Sequence, residues 1–213
     1  MSVPKLRFPG FTDDWEQRKL GELIEKGGSG GTPSTSRAEY YEGTIPFLSI
    51  TDITNSNGYI FDTTKHISET GLNASAAWLV PAESVSLAMY ASVGKVAILK
   101  QSTATSQAFF NMIIPDVSRR NYIYQYLKKM EEFNEWVPLI STGTQANLNA
   151  EKVRNLSITI PKEIKEQERI GSLLNNLDNL ITLHQRKLNM FTRAMIALKY
   201  MLYKPFFTGG QYA

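Results

Sequence analysis

The chain of 213 residues has no cysteine. A disulfide framework and any thiolate zinc site are therefore excluded, and the composition suits a reducing cytoplasm, where the protein is expected to work. Histidine is almost as scarce: His66 and His184 are the only two, far apart and without metal-ligand spacing. No apolar run approaches the roughly 18 residues that a membrane span needs. The opening MSVPKLRFPGFTDDW lacks the apolar core of a signal peptide. The glycine-rich GGSGGTPS stretch does not end in the Gly-Lys-Ser/Thr of a phosphate cradle. Neither the cofactor-binding glycine loop of a methyltransferase nor the carboxylate-plus-lysine cluster of a nuclease is legible, so no catalytic constellation is expected. Charge is also thin. The net charge is +3, and it comes entirely from residues 163–213, because residues 1–162 carry 16 basic and 16 acidic side chains. A nucleic-acid contact in the first part would have to use a local patch rather than a basic field.

What is present divides the chain in two. Up to about residue 161, glycine and proline punctuate short β-rich runs: IPFLSI (45–50), VSLAMYA (85–91), KVAIL (95–99) and FFNMII (109–114). One amphipathic helix is expected over 121–137, with Ile123, Leu127, Met130, Phe133 and Val137 on one face. RNLSITIP (154–161) reads as a last strand. These features predict an α+β globular domain over 1–161.

From residue 162 to 204 a single long helix is expected, followed by a tail over 205–213. Ile170, Leu174, Leu177, Ile181, His184, Leu188, Phe191, Met195, Leu198 and Leu202 alternate at intervals of four and three, a sustained heptad seam. Phe191 and Met195 are bulky for a two-stranded seam, and His184 is read as a register-setting or edge-packed residue. The chain offers no second long helix to cover this stripe, so the partner is expected to be another chain.

Several phrases resemble the specificity subunits of Type I restriction–modification systems. WEQRKLGEL (15–23) is similar to the opening of their target-recognition domains. GGTPSTSRAEYYEGTIPFLSITDI (30–53), ATSQAFF (104–110) and GTQANLN (143–149) resemble three internal phrases, and ITIPKEIKEQERIGSLLNNLDNLI (158–181) resembles the junction into the family's conserved helix. The five occur in the family's order and span nearly the whole chain. The resemblance implies a DNA-reading subunit with no cofactor of its own. Methylation, with S-adenosylmethionine, and cleavage would reside in separate methyltransferase and restriction subunits. Two departures stand out. A full-length member has two recognition domains and two helices, against one of each here, and the sequence after Leu188 does not follow the family's lysine-rich pattern. One copy of each element implies a homodimer through an antiparallel coiled coil, reading a gapped palindrome in double-stranded DNA. The alternative is an interaction module that pairs with a full-length subunit and reads no DNA.

Base edges are read by hydrogen-bonding side chains, so the polar loops supply the candidates. Thr32, Ser34, Thr35, Ser36 and Arg37 follow the glycines, with Tyr40 and Tyr41 adjacent; the plainer reading is a flexible connection. Thr51 and Asp52 follow a strand and equally suit a turn cap. Tyr90, Ser92 and Lys95 surround the ASVGK turn, Lys95 being either a phosphate contact or a simple surface lysine. Ser106 and Gln107 precede a strand. Thr142, Thr144, Gln145 and Asn147 form a dense polar loop, which is also ordinary turn chemistry. Arg119 and Arg120 read best as a solvated helix start. Glu166 and Glu168, flanking Gln167, suit the helix dipole at the start of the long helix.

Overall fold

In the computed structural model, the described residues are 4, 6–140 and 148–207, with side chains described as far as 197. The chain divides into two compact units, Met1–Ser172 and Leu173–Ala213. Among the described residues, eleven strands and five α-helices follow in order: β1 (Glu16–Lys19), β2 (Lys26–Ser29), β3 (Ile45–Leu48), α1 (Ile50–Asn55), β4 (Tyr59–Ile60), β5 (Lys65–Ile67), α2 (Glu69–Asn73), β6 (Leu79–Val80), β7 (Val85–Ala88), β8 (Val96–Leu99), β9 (Thr103–Thr105), β10 (Phe109–Ile113), α3 (Val117–Glu132), α4 (Ala150–Arg154), β11 (Ser157–Ile160) and α5 (Ile164–Phe207). The α+β class and the long C-terminal helix agree with the reading of the sequence.

The central sheet is ordered β2-β10-β7-β8-β4, and its inner strands β10, β7 and β8 are buried on both faces. Because side chains alternate along a strand, each of these three feeds two cores. Leu87, Ile98, Phe110 and Met112 meet Ile123, Leu127 and Met130 of α3 on one side. Ala88, Ala97, Leu99 and Phe109 meet Leu48, Ile53 and Val80 on the other. A second sheet, ordered β5-β3-β9-β6, carries a parallel β3–β9 pair. β1 pairs antiparallel with β11, so the first and last strands of the globular unit are joined before α5 begins.

A polar staple links the sheets. Asn111 on β10 is wholly buried. Its Nδ2 donates to Thr105 Oγ1 of β9 at 2.7 Å and to the Gly28 carbonyl of β2 at 3.2 Å. Its Oδ1 accepts from Ser86 Oγ of β7 at 2.8 Å. Buried polar atoms so satisfied specify one arrangement of their strands.

Several boundaries differ from the sequence reading: the run 85–91 is a strand only to Ala88, and the last strand starts at Ser157 because Arg154 ends α4. The run 45–50 stops being a strand at Leu48, because Ser49 caps α1. Its Oγ accepts from Asp52 N, and the Asp52 carboxylate accepts in turn from Ser49 N at 2.9 Å, a reciprocal capping box. Helix α3 begins four residues before the expected 121, where the Asp116 side chain accepts from Arg119 N at 2.7 Å. It ends at Glu132, one residue before Phe133 and two before Asn134, whose φ of 57° is left-handed. Phe133 and Val137 therefore lie beyond the helix and are exposed, while Ile123, Leu127 and Met130 are buried as expected. Arg120 is not solvated: it is buried and pairs with Glu83 at 2.8 Å. Among the described residues no helix is long and apolar enough to cross a membrane.

Replacing Asn111 with leucine leaves the buried Ser86 and Thr105 hydroxyls and the partly buried Gly28 carbonyl without their partner. The expected loss is about 2–4 kcal/mol of unfolding free energy, since stranded buried polar groups cost about 1–3 kcal/mol each and part of that is recovered by relaxation. Urea unfolding of the two proteins measures it.

Candidate nucleic-acid interface

The glycine-rich segment is laid along the turn between β9 and β10. Gly30 N donates to the Ser106 carbonyl at 3.2 Å and Gly31 N to the Thr105 carbonyl at 3.1 Å. Only glycine fits at 30, because a Cβ would run into the Thr105 carbonyl. Thr32 Oγ1 then donates to Gln107 Oε1 at 2.8 Å, joining two candidate loops. Tyr41 anchors the far end by donating from its hydroxyl to the Pro33 carbonyl at 2.7 Å. Between these ties Ser34, Thr35, Ser36 and Arg37 are exposed, with the Arg37 guanidinium 5.5 Å from the Tyr40 ring centroid and 3.6 Å from Glu39. A segment held at both ends presents its polar side chains more definitely than a flexible connection would.

Thr35 and Tyr41 line an open groove of about 520 Å³ together with Thr64, Lys65 and His66. A neighbouring hollow of about 300 Å³ is lined by Thr51, Asn55, Tyr59, Phe61 and again Thr64. Thr64, Lys65, His66 and Asn55 were not among the sequence candidates. They belong to β5, its approach and the end of α1, short elements with no periodic signature to mark them. His66 Nε2 lies 3.3 Å from Asp62, and the Thr63 amide and then the nearby His66 hold the Asp62 carboxyl below the usual carboxylate range.

The other candidates separate. Thr51 is exposed, and Asp52 is a cap, accepting from Ser49 and from Thr64 N at 3.1 Å. At the β7–β8 turn, exposed Ser92 has φ 57° and accepts from Thr54 Oγ1 at 3.0 Å, which ties the turn to the end of α1. Gly94, at φ 92°, leaves room for the buried Trp136 ring. Tyr90 is partly buried against the larger core. Lys95 is committed to Glu131 at 2.9 Å. Thr142, Thr144, Gln145 and Asn147 lie outside the described residues; Leu148, which follows them, donates from its amide to the Met89 carbonyl at 2.7 Å. Among the described residues no group of three or more histidine, aspartate or glutamate side chains is placed to hold a metal.

In the second unit, Leu174, Leu177, Ile181, Leu188, Phe191 and Met195 are all exposed along α5. Leu173 and Leu180 flank this seam and are exposed too, which makes the stripe wider than the expected heptad line. His184 Nδ1 donates to the Leu180 carbonyl at 2.8 Å. Ile170 lies in the first unit and packs against the larger core. The side chains of Leu198 and Leu202 are outside the described set.

The family model for the Type I restriction modification DNA specificity domain matches residues 12–192, and the chain belongs to that family. It is 32% identical over 170 residues to the Type I restriction enzyme MjaIX specificity subunit of Methanocaldococcus jannaschii, covering 79% of this chain and 39% of that one. It is 33% identical over 156 residues to the HindI specificity subunit of Haemophilus influenzae, covering 70% and 33%. The chain thus spans well under half the length of both relatives. Among solved structures, a chain from a type I R-M system complex superposes with a TM-score of 0.68 at 19% identity, covering 92% of this chain and 46% of that one. The HsdS subunit from Thermoanaerobacter tengcongensis gives 0.61 at 19% identity, covering 87% and 42%. These superpositions establish a shared fold.

Burial pushes the Asp52 carboxyl upward, but hydrogen bonds from Ser49 and Thr64 outweigh it and hold the group below the usual carboxylate range. A carboxyl depressed in the folded state adds stability above its unfolded pKa of about 4 and loses it as pH falls through the folded value. Asp52→Asn is expected to cost about 1 kcal/mol at pH 7, the usual size of a cap, and progressively less as pH falls below about 4. Urea midpoints at pH 7 and pH 3 give the comparison.

Proposed function

We propose that residues 1–161 read one half of a bipartite target in double-stranded DNA, and that the long helix pairs antiparallel with that of a second copy to set the spacing of the halves. The observation that carries this reading is the specificity-domain match from residue 12 to 192 in a chain spanning 39% and 33% of its relatives, together with a helix whose apolar stripe stands uncovered. Identical domains related by a two-fold axis read the same sequence on opposite strands, so the target is a palindrome with a fixed gap.

The reading surface is the pair of adjoining hollows that share Thr64 and are lined by Thr35 and Thr51, with Arg37 and Tyr40 following Thr35 along the chain and Gln107 tied to the same segment through Thr32. Exposed Arg37 suits a bidentate contact to guanine or phosphate, and exposed Lys65 suits a phosphate. The chain itself carries out no chemistry. It docks a methyltransferase subunit, which binds S-adenosylmethionine, and a restriction subunit, and the assembly works on DNA in the cytoplasm.

Mapping methylated bases in cells that express this chain with its methyltransferase partner tests the proposal. A gapped palindromic motif is expected. Methylation that depends on a full-length specificity subunit and follows that subunit's asymmetric motif would instead mark this chain as a pairing module. On purified complex, Arg37→Ala and Lys65→Ala should each lower the salt slope of DNA binding by roughly one ion. Lys95→Ala should change it less, because that ammonium is already paired with Glu131.

A further inference from the structure

Among the described residues of the globular unit, Leu6, Phe61, Leu79, Val117, Phe133 and Val137 are the large apolar side chains left exposed, and of these Phe61 alone lines either hollow. It is 71% exposed. The backbone on both sides of it is held. Ile60 is buried, and its carbonyl accepts from Lys100 N at 2.7 Å where β4 runs parallel to β8. The Asp62 carboxylate accepts from Thr63 N at 2.8 Å and from Gln101 Nε2 at 3.2 Å. Thr64 N is tied in turn to Asp52 at 3.1 Å. An apolar ring presented on a fixed backbone meets a partner with little ordering left to lose.

The charge around the ring decides which part of DNA it can meet. The hollow beside Phe61 is lined by the carboxylates of Asp52 and Asp62 and, among the described residues, by no lysine or arginine. Lys65 lines the neighbouring hollow instead. Carboxylates repel phosphate, so the DNA backbone belongs on the Lys65 side and base edges belong beside Phe61. The major groove suits an acidic lining, because cytosine and adenine both present amino hydrogens there. It also displays one apolar group, the C5-methyl of thymine, which the minor groove does not. Exposed Asn55, in the lining of the same hollow, is of the residue type that pairs bidentately with adenine in that groove.

We infer that Phe61 is a specificity-determining residue that reads a thymine by its methyl group in the major groove. This rests on the reading of the globular unit as a DNA reader, and adds to it a base, a groove and the side chain that recognises it.

The test uses the full chain with its methyltransferase subunit, on duplexes carrying the motif found by methylation mapping. Each thymine in turn is replaced by deoxyuridine, whose base lacks only the methyl. In the wild type, replacement at one thymine of the half-site should weaken binding about fourfold, the size of one buried methyl. Phe61→Ala should bind the thymine duplex about fourfold more weakly or worse, and show no further loss with deoxyuridine at that position. Phe61→Leu should keep part of the difference. The ring is outside the core, so urea midpoints should be unchanged in both variants. A Phe61→Ala protein with wild-type affinity and the wild-type deoxyuridine loss overturns the proposal. Weaker binding with that loss intact overturns it too, and marks the ring as a wedge between base pairs. A half-site with no methyl-sensitive thymine on either strand also overturns it. The two readings fail separately: no motif in the wild type removes the DNA reading itself, whereas a motif with a deoxyuridine loss that does not depend on residue 61 removes the Phe61 assignment alone.

Discussion

Leu174, Leu177, Ile181, Leu188, Phe191 and Met195 stand in water along one side of a helix, and full burial of each such side chain is worth about 1.5–3 kcal/mol. Their own helix already covers part of each, so roughly 1 kcal/mol per side chain remains to be gained. Pooled over two helices, that is comparable with the roughly 4–15 kcal/mol that association costs. The added width contributed by Leu173 and Leu180 suits a partner that touches more than one line of side chains. The proposed symmetry, target and spacing all descend from this one uncovered stripe.

The globular unit meets a different demand: it must hold polar loops still. It does so by burying its central sheet on both faces and placing small or polar residues where the second sheet approaches. Asn111 binds β2, β7 and β9 together, and Gly30 and Gly31 bond to the chain leaving β9. The exposed residues 34–37 are thus two short links from the core. The same economy operates at Asp52, one carboxylate that caps α1 and binds the Thr64 amide bordering both hollows.

The short β-rich runs around 85–88, 96–99 and 109–113 were legible in the sequence because both of their faces are buried, which keeps them apolar between turn residues, and the heptad seam was legible because its repeat is long. The start of α1 was hidden: Ser49 continues an apolar run, and only the reciprocal bond with Asp52 shows that the strand has ended. The limits of α3 were missed for a related reason, since the Asp116 cap and the left-handed Asn134 are single-residue events that periodicity does not report. Of the candidate interface, Thr35 and Thr51 line the two hollows, and Gln107 is tied to the glycine-rich segment through Thr32. Thr64, Lys65 and His66 were invisible because tertiary folding alone brings β5 beside them. Lys95 looked free because its partner Glu131 lies 36 positions away. Glu166 looked like a helix-dipole residue because Arg7, which donates to both of its carboxylate oxygens at 2.8 and 2.9 Å, lies at the opposite end of the globular unit's sequence.

Sedimentation equilibrium at micromolar concentration is the most direct test of the uncovered stripe. The account predicts a species of twice the 24.0 kDa chain mass, reverting to monomer when Leu177 and Ile181 are replaced by aspartate. A strict 24.0 kDa monomer with its helical content intact would contradict it.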